Sequence, residues 1–268
     1  MRIIVPIKQV PETSNVKMDD ETGTMVREGV EAIVNPLDLY AIEAAIRIKE
    51  ARPTDDCELV AVSMGPPKAA TALREAISMG MDSAALVTDK AFAGSDTWAT
   101  SYVLAAAIRK LGPFDLVICG ERATDGDTGQ VGPGIAAWLD LPAVTYVSSI
   151  DELDRRTCRV GRLIEQGREL LQMRLPGLVT VVKEIADPRL PTLRGKQRAR
   201  RTEIPTWCAD DLAIEPANLG LEGSPTRVVR IFRPTVARQC RKTTPMDDQA
   251  IEEAAQELIE LLRSRNLI

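Results

Sequence analysis

The sequence predicts an α/β fold: a doubly wound, mostly parallel sheet followed by a C-terminal extended arm and helix. Three observations carry this reading. Short, continuously apolar runs alternate with helical patterns as far as about residue 150. Such runs lack the polar alternation of a sheet with one wet face, so they read as parallel strands covered on both sides. The chain then closes on a helical stripe that repeats at three and four residues.

Taken in order, Arg2 to Ile7 reads as a buried strand. Asn35-Pro36-Leu37-Asp38 opens a helix through Leu39, Ile42, Ala45, Ile46 and Ile48, with Pro36 in the first turn where its missing N–H costs least. Glu58 to Ser63 is the next strand, and Gly65-Pro66-Pro67 turns it into a helix from Lys68 to Met79. Ala84 to Val87 is a third strand. Ser95-Asp96-Thr97 offers capping side chains for a helix through Val103, Ala107 and Ile108. A strand over 115–119 leads through a glycine-rich loop to a helix from about Val131.

Past residue 140 the pattern shifts. Ala143 to Val147, Thr157 to Ile164 and Glu169 to Met173 read as shorter antiparallel strands, and Gly177 to Val182 as one more buried strand. The segment 184–203, basic and proline-containing, reads as a surface loop. Proline and threonine are frequent from about 205 to 245. The final helix, 247–263, carries Ile251, Ala254, Ala255, Leu258, Ile259 and Leu262 on one stripe, with Glu252, Glu253, Glu257 and Glu260 facing away. The expected division is therefore 1–204 and an arm, 205–268.

Composition removes several functions. The 268 residues contain no histidine, which excludes Ser-His and Cys-His dyads and the paired-histidine zinc site. Five scattered cysteines (Cys57, Cys119, Cys158, Cys208 and Cys240) form no C-x-x-C pair and suit reduced thiols. A net charge of -5 argues against a general nucleic-acid binder. No apolar run approaches the ~20 residues of a membrane helix. Met1-Arg-Ile-Ile-Val5 leads straight into a strand pattern without the features of a secretory signal, so the cytoplasm is the expected compartment.

The chemistry concentrates in Cys119-Gly-Glu-Arg-Ala-Thr-Asp-Gly-Asp-Thr-Gly-Gln-Val131. A strand-to-helix turn in an open α/β sheet lies at the carboxyl edge, where ligands of this architecture bind. Glycines admit a ligand close to the backbone, and the next helix presents free N–H groups to an anion. Thr124 and Thr128 add hydroxyl donors, while Asp125 and Asp127 can accept from ribose hydroxyls or cap backbone N–H groups. Gly65-Pro66-Pro67 and Ser95 to Thr100 begin helices on the same edge. Three such connections favour a shared nucleotide site over turns that merely cap themselves.

These residues, with Val5-Pro-Ile-Lys-Gln-Val10, Asn35-Pro-Leu-Asp38, Ser63-Met-Gly-Pro66 and Leu190-Pro-Thr-Leu193 before its basic run, resemble the β subunit of electron transfer flavoproteins (the FixA-like family). The resemblance runs nearly end to end. It implies a sheet of the adenine-nucleotide-binding type and a heterodimer with an α subunit that carries a redox-active FAD, the C-terminal region reaching over to that subunit. It implies a second nucleotide held by Pro6, Asn35, Asp38, Met64, Gly65, Asp96, Thr97, Thr100, Gly120, Arg122, Ala123, Thr124, Asp125, Gly126, Asp127, Thr128, Gly129, Gln130 and Val131. No catalytic side chain and no metal ligand is implied. Leu193, in the recognition loop, would anchor a partner acyl-CoA dehydrogenase or quinone oxidoreductase.

Two branches of the family differ in that nucleotide. One holds structural AMP, with a loop closer to D-D-D-C. The electron-bifurcating branch holds a second FAD, with D-G-D-T. Asp125-Gly126-Asp127-Thr128, together with Asp96, Thr97 and Thr100, matches the FAD type, while Glu121 and Thr124 depart from the usual pattern. The FAD branch implies NADH as donor, with electrons divided between the α-subunit flavin and a low-potential ferredoxin or flavodoxin.

Three rivals are weaker. The basic run Arg194, Lys196, Arg198, Arg200 and Arg201 lacks the interleaved aromatics of a nucleic-acid platform. A stress-type nucleotide-binding module leaves the tail from 205 unexplained. An AMP-ligase-like enzyme needs a catalytic Lys or His near the phosphates, and Lys8, the obvious lysine at a sheet edge, reads as structural.

Overall fold

The computed structural model describes residues 1–12, 17–18, 25–26, 32–52, 56–229 and 242–268. Cys240 and part of the proline- and threonine-rich stretch lie outside these residues. The chain divides into two compact units, Met1–Val229 and Arg230–Ile268.

The first unit begins with β1 (Arg2–Pro6), three short pieces, β2 (Gln9–Pro11), β3 (Lys17–Met18) and β4 (Met25–Val26), then β5 (Ala32–Val34) and α1 (Pro36–Glu50). Next come β6 (Glu58–Met64), α2 (Ala70–Met79), β7 (Ser83–Val87), α3 (Thr97–Leu111), β8 (Leu116–Gly120) and α4 (Val131–Leu139). Then follow β9 (Ala143–Leu153), β10 (Thr157–Ile164), β11 (Gly167–Arg174), β12 (Gly177–Val181), α5 (Leu193–Arg201) and β13 (Thr206–Trp207). Nine strands form one sheet in the order β11-β10-β9-β12-β8-β1-β6-β7-β13. β9, β12, β8, β1, β6, β7 and β13 run parallel, and the β9–β10–β11 meander is antiparallel.

Both faces of this sheet are covered, as the apolar strands require. In β1, Ile3 and Val5 pack with Ile42, Ile46, Leu73 and Ile77 of α1 and α2, while Ile4 packs with Val103, Ile108 and Ile135 of α3 and α4. β6 and β8 alternate in the same way. The fold is doubly wound α/β, as the sequence predicts. From β1 the chain moves through β6 to β7, then returns across the other face to place β8 on the opposite side of β1. The strand order therefore reverses between β1 and β8, the switch point at which open α/β sheets bind ligands.

Two sequence expectations need correction. Ala143–Val147 is the start of an eleven-residue strand, β9, that pairs parallel with β12 as well as antiparallel with β10. The supposed loop 184–203 contains a helix, α5. Thr192 caps it by accepting the Gly195 N–H at 2.9 Å, and Arg198 donates to the Ile77 and Met81 carbonyls, both at 2.8 Å. Arginine, lysine and glutamine are good helix formers once a cap and a packing face exist, and here α2 provides the face. Residues 205–229 pack within the first unit: β13 extends the sheet beside β7, and Leu212 and Leu219 are buried on the α3 and α4 face.

The second unit contains α6 (Asp248–Ser264), capped by Asp247, which accepts the Ala250 N–H at 2.8 Å. Its stripe is present as expected, but none of its residues is buried. No helix among the described residues is long and apolar enough to cross a membrane.

Candidate functional site

At the switch point lies a cavity of about 400 Å³, within the range of small-molecule sites. Pro6, Ile7 and Lys8 at the end of β1, Met64 at the end of β6 and Cys119 to Ala123 at the end of β8 form one side. Gly94 to Thr97 and Thr100 at the start of α3, and Gly126 and Thr128 to Gly132 at the start of α4, form the other. Asp38, Phe92 and Leu104 complete the walls. Strand ends and helix starts converge because every parallel strand exits on this edge.

Asn35 organises the glycine-rich loop from below. It is completely buried, its Nδ2 donates to the Arg122 carbonyl at 2.9 Å, and its Oδ1 accepts the Thr124 N–H at 3.1 Å. Gly126 and Asp127 donate back to the Ala123 carbonyl at 3.3 and 2.8 Å, closing a turn. Lys8 Nζ pairs with Asp125 Oδ1 at 2.7 Å, and Arg122 Nε with Asp127 Oδ1 at 3.0 Å. These half-exposed pairs add little to stability but fix where the charges lie.

Of the residues the sequence singles out, Pro6, Asp38, Met64, Asp96, Thr97, Thr100, Gly120, Arg122, Ala123, Gly126, Thr128, Gly129, Gln130 and Val131 line the cavity. Asn35, Gly65, Thr124, Asp125 and Asp127 do not form its walls. Asn35 and Thr124 shape the loop, Asp125 and Asp127 are held in ion pairs, and Gly65 donates to the Val87 carbonyl at 3.0 Å in the turn after β6. Leu193 is 83% exposed at the start of α5 and takes no part in the cavity.

Ile7, Phe92, Leu104 and Gly132 are walls that sequence reading missed, and Lys8 reaches the cavity as well as its structural partner Asp125. Ile7 and Lys8 were recoverable, since they directly follow a strand at the ligand edge. Phe92 and Leu104 carry no local signal, because an apolar wall residue looks like any core residue.

The electrostatics are uneven. Burial pushes the Asp38 carboxyl up to about 7, although hydrogen bonds from the Lys8 N–H and Asn35 pull the other way. Burial also raises the Cys119 thiol, with the nearby Asp38 adding to it, so this thiol stays protonated. Burial acts against ionised Asp96, but hydrogen bonds from Thr226, Ala99 and Trp98 outweigh it and hold the carboxyl below its ordinary value. The start of α3 is thereby capped by its own carboxylate. The start of α4 is different: Gln130 stands at its cap without a side-chain cap bond, held by the Thr97 hydroxyl at 3.0 Å. The Val131 and Gly132 N–H groups, ahead of Pro133, lack intrahelical partners, and the helix dipole at this end favours an anion.

This arrangement suits a nucleotide: hydroxyls of Thr97, Thr100 and Thr128 and the α4 N-terminus for a diphosphate, and Met64, Phe92 and Leu104 as apolar walls. A Cβ placed on Gly126 would meet nothing of the protein within 4 Å, so packing within the chain does not require glycine there. Among the described residues no group of three or more His, Cys, Asp or Glu is placed to hold a metal ion.

Comparison with known proteins gives a consistent result. The electron transfer flavoprotein domain matches residues 22–212. The chain is 44% identical over 268 residues, covering 100% of both chains, to the caffeyl-CoA reductase-Etf complex subunit CarD of Acetobacterium woodii. It is 45% identical over 269 residues, again 100% of both, to the electron transfer flavoprotein subunit beta of Thermoanaerobacterium thermosaccharolyticum. It is 42% identical to the protein FixA of Azorhizobium caulinodans, over 92% of this chain and 89% of the relative.

Proposed function

The chain belongs to the electron transfer flavoprotein family, in its β-subunit branch, and from this premise we propose that its switch-point cavity holds a second FAD. In this reading the protein is one half of a heterodimer, and its α partner carries the other flavin. Bound in the cavity, FAD supplies hydride acceptance and one-electron transfer, chemistry that a chain without histidine leaves to its cofactor.

The protein's own part is to bind and orient. The α4 N-terminus and the Thr97, Thr100 and Thr128 hydroxyls hold the diphosphate. Gly126 leaves room for it, and this is the observation that carries FAD over AMP: a glycine the fold does not need, in the Asp-Gly-Asp-Thr loop. Asn35 keeps the loop in place, and Met64, Phe92 and Leu104 exclude water from one side of the cavity. NADH is the proposed electron donor. The proposed acceptors are the α-subunit flavin leading to an acyl-CoA dehydrogenase or quinone oxidoreductase, and a low-potential ferredoxin or flavodoxin. The similarity to a subunit of a CoA-thioester reductase complex supports a partner of the first kind.

Partner docking is assigned to Leu193 at the start of α5. Leu190 and Leu193 are 86% and 83% exposed, beside a helix rich in arginine. An exposed apolar pair rimmed by cations suits an apolar pocket with an acidic edge. We likewise assign α6, in the second unit, to the α subunit.

The test is a nucleotide count. The chain is co-expressed with its α partner, the purified heterodimer is denatured, and released FAD and AMP are quantified by chromatography. Two FAD and no AMP per heterodimer is the expected result. One FAD and one AMP would overturn the second-flavin reading and leave a one-flavin carrier with a structural nucleotide.

A further inference from the structure

We propose that Asp96 is a positioning residue that ties occupancy of the cavity to the stretch of chain leading out of the first unit. The inference rests on the nucleotide reading of the cavity, whichever nucleotide is bound.

Asp96 stands on the cavity wall and joins two distant parts of the chain through five hydrogen bonds. Its Oδ1 accepts the Trp98 and Ala99 N–H groups, at 2.9 and 3.1 Å, and so caps α3. Its Oδ2 accepts the Thr226 N–H at 2.9 Å and the Thr226 hydroxyl at 2.7 Å. Its own N–H donates to Ser224 Oγ at 2.8 Å, and that hydroxyl donates to the Gly220 carbonyl at 2.6 Å. The first unit ends at Val229, just beyond Thr226.

Packing reinforces the tie. Gly220 has φ +57°, and a Cβ there would overlap the Ala91 carbonyl and meet that of Ala93 at 3.0 Å. A Cβ on Gly94 would come within 3.2 Å of Leu221 Cβ. The turn at 91–95 therefore interlocks with 220–221, and Phe92, Gly94 and Ser95 of that same turn are cavity walls. Material that shifts or orders this wall acts directly on 220–226.

The Asp96 carboxylate already satisfies the α3 N-terminus, so a ligand's phosphates are steered to the α4 end. The ligand's contacts with α3 then come through the neutral hydroxyls of Thr97 and Thr100. A ligand that orders the first turn of α3 strengthens the hold of Asp96 on Thr226. By reciprocity, holding Thr226 tightens ligand binding by the same factor.

The test uses the α/β heterodimer with Thr226→Val, which removes the hydroxyl, and Thr226→Ser, which keeps it. Position 226 does not line the cavity. The β-site nucleotide, FAD or AMP, is counted per heterodimer after graded dilution. Amide exchange over 220–229 is followed in the wild type with the site filled and stripped. The expected results are a loss of nucleotide affinity of about fivefold or more in Thr226→Val, retention close to wild type in Thr226→Ser, and slower exchange when the site is filled. Retention in Thr226→Val equal to wild type, with exchange at 220–229 indifferent to the nucleotide, would overturn this inference alone. A wild type that retains neither nucleotide would overturn the cavity reading with it.

Discussion

Asn35 Oδ1 accepts the Thr124 backbone N–H at 3.1 Å, so a residue just before α1 fixes a loop 89 positions further along the chain. The second bond, from Asn35 Nδ2 to the Arg122 carbonyl, makes the side chain an inserted backbone-like link. Replacing Asn35 with alanine removes a fully buried side chain and leaves the Arg122 carbonyl and the Thr124 N–H without this partner. The expected cost is about 2–3 kcal/mol of unfolding free energy, together with loss of the cavity nucleotide. Urea unfolding and nucleotide content of the purified variant check this. A loss below about 0.5 kcal/mol would show that the loop holds its shape without Asn35.

The Asp38 carboxyl gives a pH dependence with a definite sign. Burial raises it from 3.8 to about 7 in the folded protein. Between these values the folded state binds more protons than the unfolded state, so stability falls as pH rises and levels off above about 7. The interval corresponds to roughly 4 kcal/mol as an order of magnitude. Asp38→Asn, which cannot ionise, removes this slope. The variant is expected to match the wild type near pH 4 and to exceed it in urea midpoint at pH 8. Parallel pH profiles for the two proteins would contradict the burial argument.

Arg189 makes a different kind of link. Its guanidinium bonds Glu43 Oε2 at 2.8 Å and Oε1 at 3.1 Å, and also pairs with Glu50, while its backbone N–H reaches Glu43 at 3.1 Å. Burial raises the Glu43 carboxyl, but bonds from Arg189 and Arg47 outweigh it and keep it below its ordinary value. With its side chain 2% exposed, Glu43 loses a main counter-charge in Arg189→Ala. A loss of about 2–4 kcal/mol is expected, measured by urea unfolding. Arg189→Lys recovers only part of it, because a point charge cannot bond two carboxylates in a fork. Full recovery by lysine would reduce the role of Arg189 to its charge.

The docking role proposed for Leu193 can be tested apart from folding. At 83% exposure it makes little core contact, so Leu193→Ala is expected to change stability by no more than about 0.5 kcal/mol. The same variant is expected to slow electron delivery to an acyl-CoA dehydrogenase about tenfold or more, as for a central interface anchor. Steady-state assays over a range of dehydrogenase concentrations distinguish the two effects. An unaltered dependence on dehydrogenase would move the docking surface elsewhere.

The parallel core was legible because buried strands and their helices leave periodic apolar patterns, as in Ile3, Val5, Leu59 and Ala61. The Asp125 to Val131 loop was legible from its glycines and its place after a strand. What escaped depends on contacts across the chain. α5 is a helix because Arg198 meets the end of α2, and no local pattern announces that meeting. Asp96 reads from sequence as a cap or a ligand contact. Its bonds to Thr226 depend on a return of the chain that periodicity does not encode. The apolar walls Phe92 and Leu104 were hidden for a similar reason, since burial against a ligand and burial against a core select the same residues.

Two glycines of the cavity distinguish what the fold requires from what a ligand requires. A Cβ on Gly120 would overlap Asp38 Oδ1 and stand 2.8 Å from the Leu37 carbonyl, so the end of β8 passes α1 too closely for any side chain. Gly120→Ala is expected to lose about 1–3 kcal/mol of stability through overpacking. Gly126 has no such neighbour within 4 Å. Gly126→Ala is therefore expected to leave stability unchanged or raise it by up to about 1 kcal/mol by restricting the unfolded chain. Its added methyl group enters the space assigned to the nucleotide, so β-site retention should fall about tenfold while the α-subunit flavin stays bound. Thermal unfolding and nucleotide content of both variants decide the matter. If Gly126→Ala kept its full nucleotide complement, the space beside this loop would belong to solvent, and the diphosphate would have to lie nearer the Thr97 and Thr100 side of the cavity.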